Sequence, residues 1–293
     1  MTDLPTCPGV TVKEDYPGFP ILEIKTEEAS AEVSVYGAQV LKWVPKEHEP
    51  VLYLSPKAIF EKGKAIRGGV PICWPWFNAH PENPEFPSHG FARISMWNLL
   101  SCEQVDKDIV LTFQLPCTEE TKKFFPHDFE LTATITIGAK LDVFLKTKNL
   151  GEKSFQISGA LHSYLAVGDI SRTQIEGLLQ ASYLDCVGEP TEKDQTEPLK
   201  ITEEIDRIYK SMASHLVRDL DNHRSIFVDK TGSRSTVVWN PWKDRAKEIK
   251  DLPDRDYTEF VCVETSNAWT DRPTVRPNMP HTLGTTIGLR PLG

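Results

Sequence analysis

The sequence is dominated by residues 66–77, IRGGVPICWPWF, and by residues 88–93, SHGFAR, which follow a proline-rich loop. Gly68 and Gly69 allow the backbone to bend and to approach a ligand, and the prolines restrict the loop around them. The aromatic rings offer apolar faces of the sort that pack on sugars, and Arg67 and Arg93 can form bidentate hydrogen bonds with an anion. By local chemistry alone, the stretch is equally typical of a tight structural turn with buried tryptophans.

Strand patterns cover most of the chain on both sides of this stretch. Residues 129–137 alternate apolar side chains with Glu and Thr, and a turn at 138–140 leads into residues 141–148, which predicts a hairpin. A second hairpin is predicted for residues 226–239, where a Lys-Thr-Gly-Ser turn separates two short runs. Further strands are predicted at residues 21–25, 31–43, 51–54, 109–115, 155–167, 260–264 and 285–289.

Helical patterns are few and short. Asn240 and Pro241 are a suitable start for a helix over 242–250, Ser55-Pro56 predicts another short helix, and residues 118–125 predict a turn or two. Residues 188–197 are polar enough to form an exposed loop, and no composition shift marks a domain boundary. The pattern therefore predicts an all-β protein, with residues 1–293 in a single large β-sandwich and a few short helices.

Composition limits the possible partners and location. The formal net charge of -9 argues against nucleic acid, and no apolar run reaches the roughly 20 residues that span a bilayer. The first residues lack the basic start and apolar core of a signal peptide, so we expect a cytoplasmic protein that does not associate with membranes. The six cysteines include no C-x-x-C pair, which predicts reduced and mostly buried thiols.

Four further blocks accompany the two motifs in the first stretch: GALHSY at 159–164, DRIY at 206–209, VWNPW at 238–242 and FVCVE at 260–264. Together they resemble the glucose-6-phosphate 1-epimerases, hexose-phosphate mutarotases of the aldose 1-epimerase (galactose mutarotase-like) superfamily. The resemblance implies one domain with the galactose mutarotase-like supersandwich fold and no cofactor. It also implies an isomerase that interconverts the α and β anomers of a hexose 6-phosphate, chiefly glucose 6-phosphate.

Anomer interconversion requires that the sugar ring opens and closes again. A base removes the proton of the anomeric hydroxyl while an acid protonates the ring oxygen, and the roles reverse on closure. A histidine and a carboxylate suit these roles, and we expect them on different sides of C1. The resemblance implies that His162 is the acid and that Glu264 is the general base.

The local patterns around these two residues are compatible with other roles. His162 lies on the less apolar face of the predicted strand 155–167, beside small and hydroxyl-bearing side chains, where a half-exposed histidine is common. Glu264 closes the apolar run 260–264, where a carboxylate is costly unless it is paired, functional or emerging into solvent.

The remaining candidates would bind the substrate. Arg67 and Arg93, by resemblance, contact the substrate and its phosphate, and a local positive cluster is needed because the protein as a whole is acidic. Asp206, by resemblance, accepts hydrogen bonds from sugar hydroxyls, although it also fits an acidic surface stretch. His89 would contact the sugar or brace its own loop. Family members often have glutamine before H-G-x-A-R, and Ser88 is too short to make the same contact without a water.

Two other functions remain open at this point. One is a catalytically silent carbohydrate-binding protein of the same fold, and the other is a glycosidase that uses Asp206 and Glu264. The presence of both His162 and Glu264 favours the isomerase. No histidine spacing matches a metal-ligand pattern, so we predict no metal site. The expected partner is a small-molecule sugar phosphate, and we expect a monomer.

Overall fold

The computed structural model of the protein describes residues 4–292, which are mostly β-strands. In this range the strands are β1 (Val10–Lys13), β2 (Ile21–Lys25), β3 (Ala29–Ser34), β4 (Gln39–Pro45), β5 (Ile72–Cys73), β6 (Asn98–Val105), β7 (Asp108–Leu115), β8 (Phe129–Ile137), β9 (Leu141–Asn149), β10 (Phe155–Gln156), β11 (Gly159–Leu161), β12 (Tyr164–Ala166), β13 (Thr173–Glu176), β14 (Ser182–Asp185), β15 (Thr191–Asp194), β16 (Leu199–Lys200), β17 (Ile205–Lys210), β18 (His215–Asp219), β19 (Arg224–Thr231), β20 (Ser235–Asn240), β21 (Phe260–Asn267), β22 (Thr274–Val275) and β23 (Pro280–Pro291). The α-helices are α1 (Glu119–Phe124) and α2 (Trp242–Glu248), and 3-10 turns span Ala92–Ile94, Ile170–Arg172 and Asp256–Thr258. The prediction of an all-β protein with a few short helices is confirmed.

Two large antiparallel sheets form the body of the molecule. One has the order β16-β13-β18-β19-β23-β9-β8-β7-β6, and the other has the order β15-β14-β17-β20-β21-β11-β5, with β12 also paired to β21. A third sheet has the order β1-β2-β3-β4, and β10 pairs with β22. Trp43 of the third sheet, Phe113 of β7 and Val263 of β21 belong to one buried apolar cluster, so the sheets share a core as in a β-sandwich.

The strongest strand pattern in the sequence forms the predicted hairpin. Phe129 of β8 pairs with Asn149 of β9, and Ile137 pairs with Leu141 across the turn. Every second side chain of β8 is buried, because successive side chains of a strand point to opposite faces. The helices predicted at 242–250 and 118–125 are confirmed as α2 and α1. No helix in residues 4–292 is both long and apolar enough to span a membrane.

The hairpin predicted for residues 226–239 is wrong. β19 pairs with β18 and β23, whereas β20 pairs with β17 and β21 in the other large sheet. The chain changes sheet at Gly232, which has a φ of +66°, and the Nζ of Lys230 donates a hydrogen bond to the Ser235 carbonyl across this corner. A short polar turn has the same local sequence whether it reverses within one sheet or crosses to another.

The single strand predicted for residues 155–167 is also wrong. It is divided into β10, β11 and β12, with one break at residues 157–158 and a second at His162 and Ser163. The backbone N–H of His162 donates to the Pro71 carbonyl at 3.0 Å, and that of Ser163 donates to Leu161. Because the His162 N–H bonds to a residue far away in the sequence, the strand is interrupted next to the candidate histidine.

Other differences are smaller. Residues 51–54 form isolated bridges to Leu165 and Gly68 and no continuous strand, and Ser55-Pro56 forms a turn and no helix. The run 31–43 is split by a turn into β3 and β4. The exposed loop predicted at 188–197 is exposed for most of its length, but it also contains the edge strand β15.

The glycines of the RGG and HGF motifs bring backbone segments close together. Gly69 has a φ of +65°, and a Cβ there would lie 2.0 Å from the Val40 carbonyl oxygen. Gly90 has a φ of +74°, and a Cβ there would lie 2.0 Å from the Trp74 carbonyl oxygen. The sequence suggested that Gly68 and Gly69 approach a ligand, but their nearest neighbours are protein backbone. Glycine is required for this close packing.

Replacing Gly69 by alanine should therefore destabilise the fold strongly. The left-handed φ and the clash with Val40 together should lower the free energy of unfolding by about 2–5 kcal/mol. Gly188→Ala is the matched control, because Gly188 has a φ of +72° and no atom within 4 Å of the added Cβ. Urea unfolding should give only about 1–2 kcal/mol for the control. Equal losses in the two variants would contradict the packing role.

Candidate active site

One face of the eight-stranded sheet carries several of the candidate residues. On β21, Val261 and Val263 enter the core, so Glu264 points to the opposite face. Val237 of β20 pairs with Glu264, and Ile208 of β17 pairs with Val237. Asp206, two residues before Ile208, therefore shares the face with Glu264. Strand register brings together two carboxylates that are far apart in the sequence.

His162 and Glu264 are in direct contact on this face. The Nε2 of His162 lies 3.2 Å from the Oε1 of Glu264, and the two residues are only 7% and 1% exposed. The other polar atoms of the pair, His162 Nδ1 and Glu264 Oε2, are buried without a hydrogen-bond partner. A buried polar atom without a partner is costly, which makes these atoms available to a ligand.

Burial determines the charge of this pair. Burial, followed by the nearby guanidinium groups of Arg93 and Arg67, lowers the pKa of His162 well below its ordinary value. Burial, followed by the charge of Asp206, raises the pKa of Glu264 well above its ordinary value. Both shifts favour the uncharged forms, a neutral imidazole and a protonated carboxyl, in which one exchangeable proton lies between the two facing atoms.

The direct contact also determines how a sugar can approach. We expected the acid and the base on different sides of C1, but a ring cannot lie between two groups that touch. Both groups must reach C1 from one side. This is geometrically feasible, because the anomeric oxygen and the ring oxygen are bonded to the same carbon.

The two candidate arginines differ in their partners. The Nη2 of Arg93 donates to the Ser88 carbonyl at 3.0 Å, its Nε is buried without a partner, and no carboxylate in residues 4–292 pairs with it. Arg67 is held on both sides, by Asp251 at 3.1 Å and by the hydroxyl of Tyr164 at 3.1 Å. Ser88 thus orients Arg93 through its backbone, which any residue type could do.

His89 and Asp206 lie at the margins of the pair. The Nδ1 of His89 accepts the backbone N–H of Asn78, and its ring centre is 6.0 Å from that of His162. Burial, followed by Arg93, lowers the pKa of His89 well below its ordinary value, so its Nε2 carries the hydrogen and can donate. Burial, followed by Glu204, raises the pKa of Asp206 to about 6.

The aromatic residues of the site are not those expected from the first stretch. Trp74 and Trp76 are buried in the core and cannot contact a sugar. Trp239, which pairs with Asp206 in the sheet, instead places its half-buried ring 6.1 Å from that of His162. Phe77 is half-buried in the adjoining apolar cluster. The VWNPW block contains Trp239, but only the pairing of β20 with β17 shows that its side chain lies on the same face as Asp206.

Part of this site has the residue types of a metal site. The ligand atoms of His162, Cys262 and Glu264 all lie within 4.8 Å of one another, a set that suits a thiophilic divalent cation. Burial raises the pKa of both Cys262 and Glu264, so such a cation would have to displace protons from these two groups. The absence of a metal requirement stays a prediction. All six cysteines are free thiols, and three of them are buried.

Comparison with known proteins shows the family and the fold of this chain. A family model described as "Aldose 1-epimerase" matches residues 20–288. The Escherichia coli K12 protein named "Putative glucose-6-phosphate 1-epimerase" is 36% identical over 250 residues, covering 85% of this chain and 83% of that protein. The crystal structure of a "putative mutarotase (YeaD)" from Salmonella typhimurium has a TM-score of 0.91 at 33% identity, covering 97% of this chain and 95% of that one.

The fold extends to more distant structures. A galactose mutarotase-like protein from Lactobacillus casei has a TM-score of 0.72 at 16% identity, covering 92% of this chain and all of that one (100%). The galactose mutarotase-like fold predicted from the sequence is confirmed. The chain belongs to the aldose 1-epimerase family, a family of isomerases that interconvert sugar anomers.

Proposed function

We propose that this protein interconverts the α and β anomers of a hexose 6-phosphate, chiefly glucose 6-phosphate, without a cofactor. One observation carries the proposal: the buried contact between His162 and Glu264 lies close to Arg93, a guanidinium that has no carboxylate partner in residues 4–292. The His162–Glu264 pair suits proton transfer at C1, and the Arg93 guanidinium suits binding of a phosphate. The name of the Escherichia coli relative supports the same substrate.

The reaction begins with a proton transfer within the pair. Glu264 passes its proton to His162 across the 3.2 Å contact, which leaves a carboxylate and an imidazolium. The carboxylate removes the proton of the anomeric hydroxyl while the imidazolium protonates the ring oxygen. The C1–O5 bond then breaks, and C1 becomes a carbonyl carbon.

Ring closure reverses these transfers. After rotation about C1–C2, the 5-hydroxyl attacks the other face of the carbonyl, returning its proton to His162, and Glu264 returns a proton to the anomeric oxygen. The pair ends with the one proton with which it began. No redox partner or covalent intermediate is needed.

The substrate's phosphate would assist this chemistry as well as binding. The positive charge of Arg93 opposes protonation of His162, and a phosphate dianion on Arg93 offsets that charge. An unphosphorylated sugar lacks this effect. Arg67 contributes less net charge because Asp251 already neutralises it.

The two alternative functions explain less of the site. A protein that only binds carbohydrate has no need for a buried acid and base in contact. A glycosidase based on Asp206 and Glu264 gives His162 no role in the chemistry. The isomerase uses all three side chains.

Removal of either member of the pair should stop turnover without abolishing binding. Exchange NMR of glucose 6-phosphate anomers should show kcat lowered by about two to four orders of magnitude in Glu264→Gln and in His162→Ala. The uncatalysed exchange must be subtracted. Glu259→Gln, an exposed carboxylate on the same segment, is the control and should retain wild-type turnover. Near-normal turnover in Glu264→Gln would remove the base from the mechanism.

The arginines should control the preference for phosphorylated sugar. Arg93→Ala should lower kcat/KM for glucose 6-phosphate by about 1.5–3 kcal/mol of transition-state binding, because it removes charge-assisted hydrogen bonds. The rate with glucose should not fall, because glucose has no phosphate to lose and the charge that opposes protonation of His162 is removed. Arg172→Ala removes an exposed arginine that is paired with Asp221, and it should change neither rate. An unchanged ratio of the two efficiencies in both Arg93→Ala and Arg67→Ala would place the phosphate elsewhere.

Asp206 should make activity depend on pH near neutrality. Its pKa is raised to about 6, so below that pH it is protonated and accepts hydrogen bonds from sugar hydroxyls poorly. The phosphate of the substrate also titrates near about 6, but Asp206→Asn leaves that titration in place. The ratio of wild-type to Asp206→Asn kcat/KM should therefore fall as the pH drops through about 6. A ratio that is constant between about pH 5 and 8 would exclude this role.

A further inference from the structure

We propose that Tyr164 is a positioning residue that holds the imidazole of His162 with its ring and the guanidinium of Arg67 with its hydroxyl, and that Asp251 completes the support of Arg67. The inference rests on the proposed function and adds two residues to it. Tyr164 would connect the part of the site that moves protons to the part that holds the substrate.

The ring of Tyr164 is stacked on His162. The two ring centres are 4.8 Å apart and the planes differ by 10°. Phe260 and Trp239 pack against the same tyrosine, with ring centres at 5.3 and 6.1 Å. Tyr164 is 2% exposed, so its ring cannot leave this position without repacking the aromatic cluster.

The backbone of Tyr164 is fixed equally well. Its N–H donates to the Gly69 carbonyl at 2.9 Å, and its own carbonyl accepts from the Tyr53 N–H at 3.0 Å. In register, Tyr164 pairs with Cys262, two residues before Glu264 on β21. The tyrosine is thereby tied both to the loop that carries Arg67 and to the strand that carries the base.

The hydroxyl of Tyr164 accepts a hydrogen bond from the Nη1 of Arg67 at 3.1 Å. On the other side, Nε and Nη2 of Arg67 lie 3.2 and 3.1 Å from the same oxygen of Asp251. Three of the five N–H groups of the guanidinium are thus engaged, and the plane of the group is fixed. The remaining N–H groups are aimed in a direction set by Tyr164 and Asp251.

Asp251 has no catalytic group among its contacts. It lies after α2, and its own backbone carbonyl accepts from the Ser55 hydroxyl at 2.7 Å. Its carboxylate offsets the charge of Arg67, which makes Arg67 a fixed hydrogen-bond donor, whereas Arg93 supplies the uncompensated charge. The two arginines would thus have different tasks at one substrate.

Two substitutions, Tyr164→Phe and Tyr164→Leu, distinguish the hydroxyl contact with Arg67 from the ring contact with His162. Tyr164→Phe keeps the ring over His162 and loses only the bond to Arg67, so we expect KM for glucose 6-phosphate to rise about 3- to 30-fold, with kcat within about twofold. Asp251→Asn should behave in the same way. Tyr164→Leu also loses the stacked ring, and kcat should fall by at least about tenfold.

A merely structural tyrosine would give a different result. Both Tyr164 variants would then lower the melting temperature and kcat alike and leave KM unchanged, which would overturn the proposal. Wild-type KM in both Tyr164→Phe and Asp251→Asn would overturn it as well.

A measurement without substrate separates this proposal from the proposed function. In ¹⁵N-labelled protein, the Arg67 Nε–H should exchange slowly with water in the wild type and faster in both Tyr164→Phe and Asp251→Asn. The His162 ring resonances should move in Tyr164→Leu and stay in place in Tyr164→Phe. If the wild type fails to interconvert hexose 6-phosphate anomers while these signals behave as described, the proposed function fails and the positioning role stands. If the signals do not respond, the positioning role fails even when the enzyme is active.

Discussion

Exclusion of water from the contact between His162 and Glu264 is the constraint on which the rest of the site depends. Two isolated charges at this depth would be costly, and each group shifts its pKa toward the neutral form. Both shifts favour the form in which one proton lies between the two groups. An acid and a base in contact that share one proton can work in both directions, as the proposed reaction between two similar anomers requires.

The fold creates this dry environment by burying β21 on both faces. Val261 and Val263 enter the common core on one side, while Tyr164 and Phe260 belong to an aromatic cluster on the other. The interrupted region between β11 and β12 then delivers His162 to the same face as Glu264. Burial of the strand and burial of the pair are consequences of the same packing, so the chemistry of the site cannot be separated from its stability.

Local patterns in the sequence predicted the elements that obey local rules. The alternation of residues 129–137 and the turn after it required only a half-buried strand, and the short helix predicted at 118–125 is capped locally by the Thr118 side chain. The hairpin at 226–239 failed because the same turn can join strands of different sheets. The strand at 155–167 failed because its break depends on bonding to residues far away in sequence.

In the site, too, local sequence predicted individual residues but not the contacts between distant parts of the chain. Family motifs pointed to His162 and Glu264, but no local pattern could show that they touch, since the contact depends on the register of β12 with β21. Asp251 was missed altogether. It lies 184 positions from Arg67, and nothing around it in the sequence marks it as a partner of that arginine.

The shared proton of the pair can be observed directly by infrared difference spectroscopy of the substrate-free protein at neutral pH. Subtraction of the Glu264→Gln spectrum from that of the wild type isolates the vibrations of this one carboxyl. If Glu264 carries the shared proton, the difference spectrum will contain the C=O stretch of a protonated carboxylic acid, sensitive to exchange into D2O. A difference spectrum that contains only the bands of an ionised carboxylate would contradict this assignment of the proton.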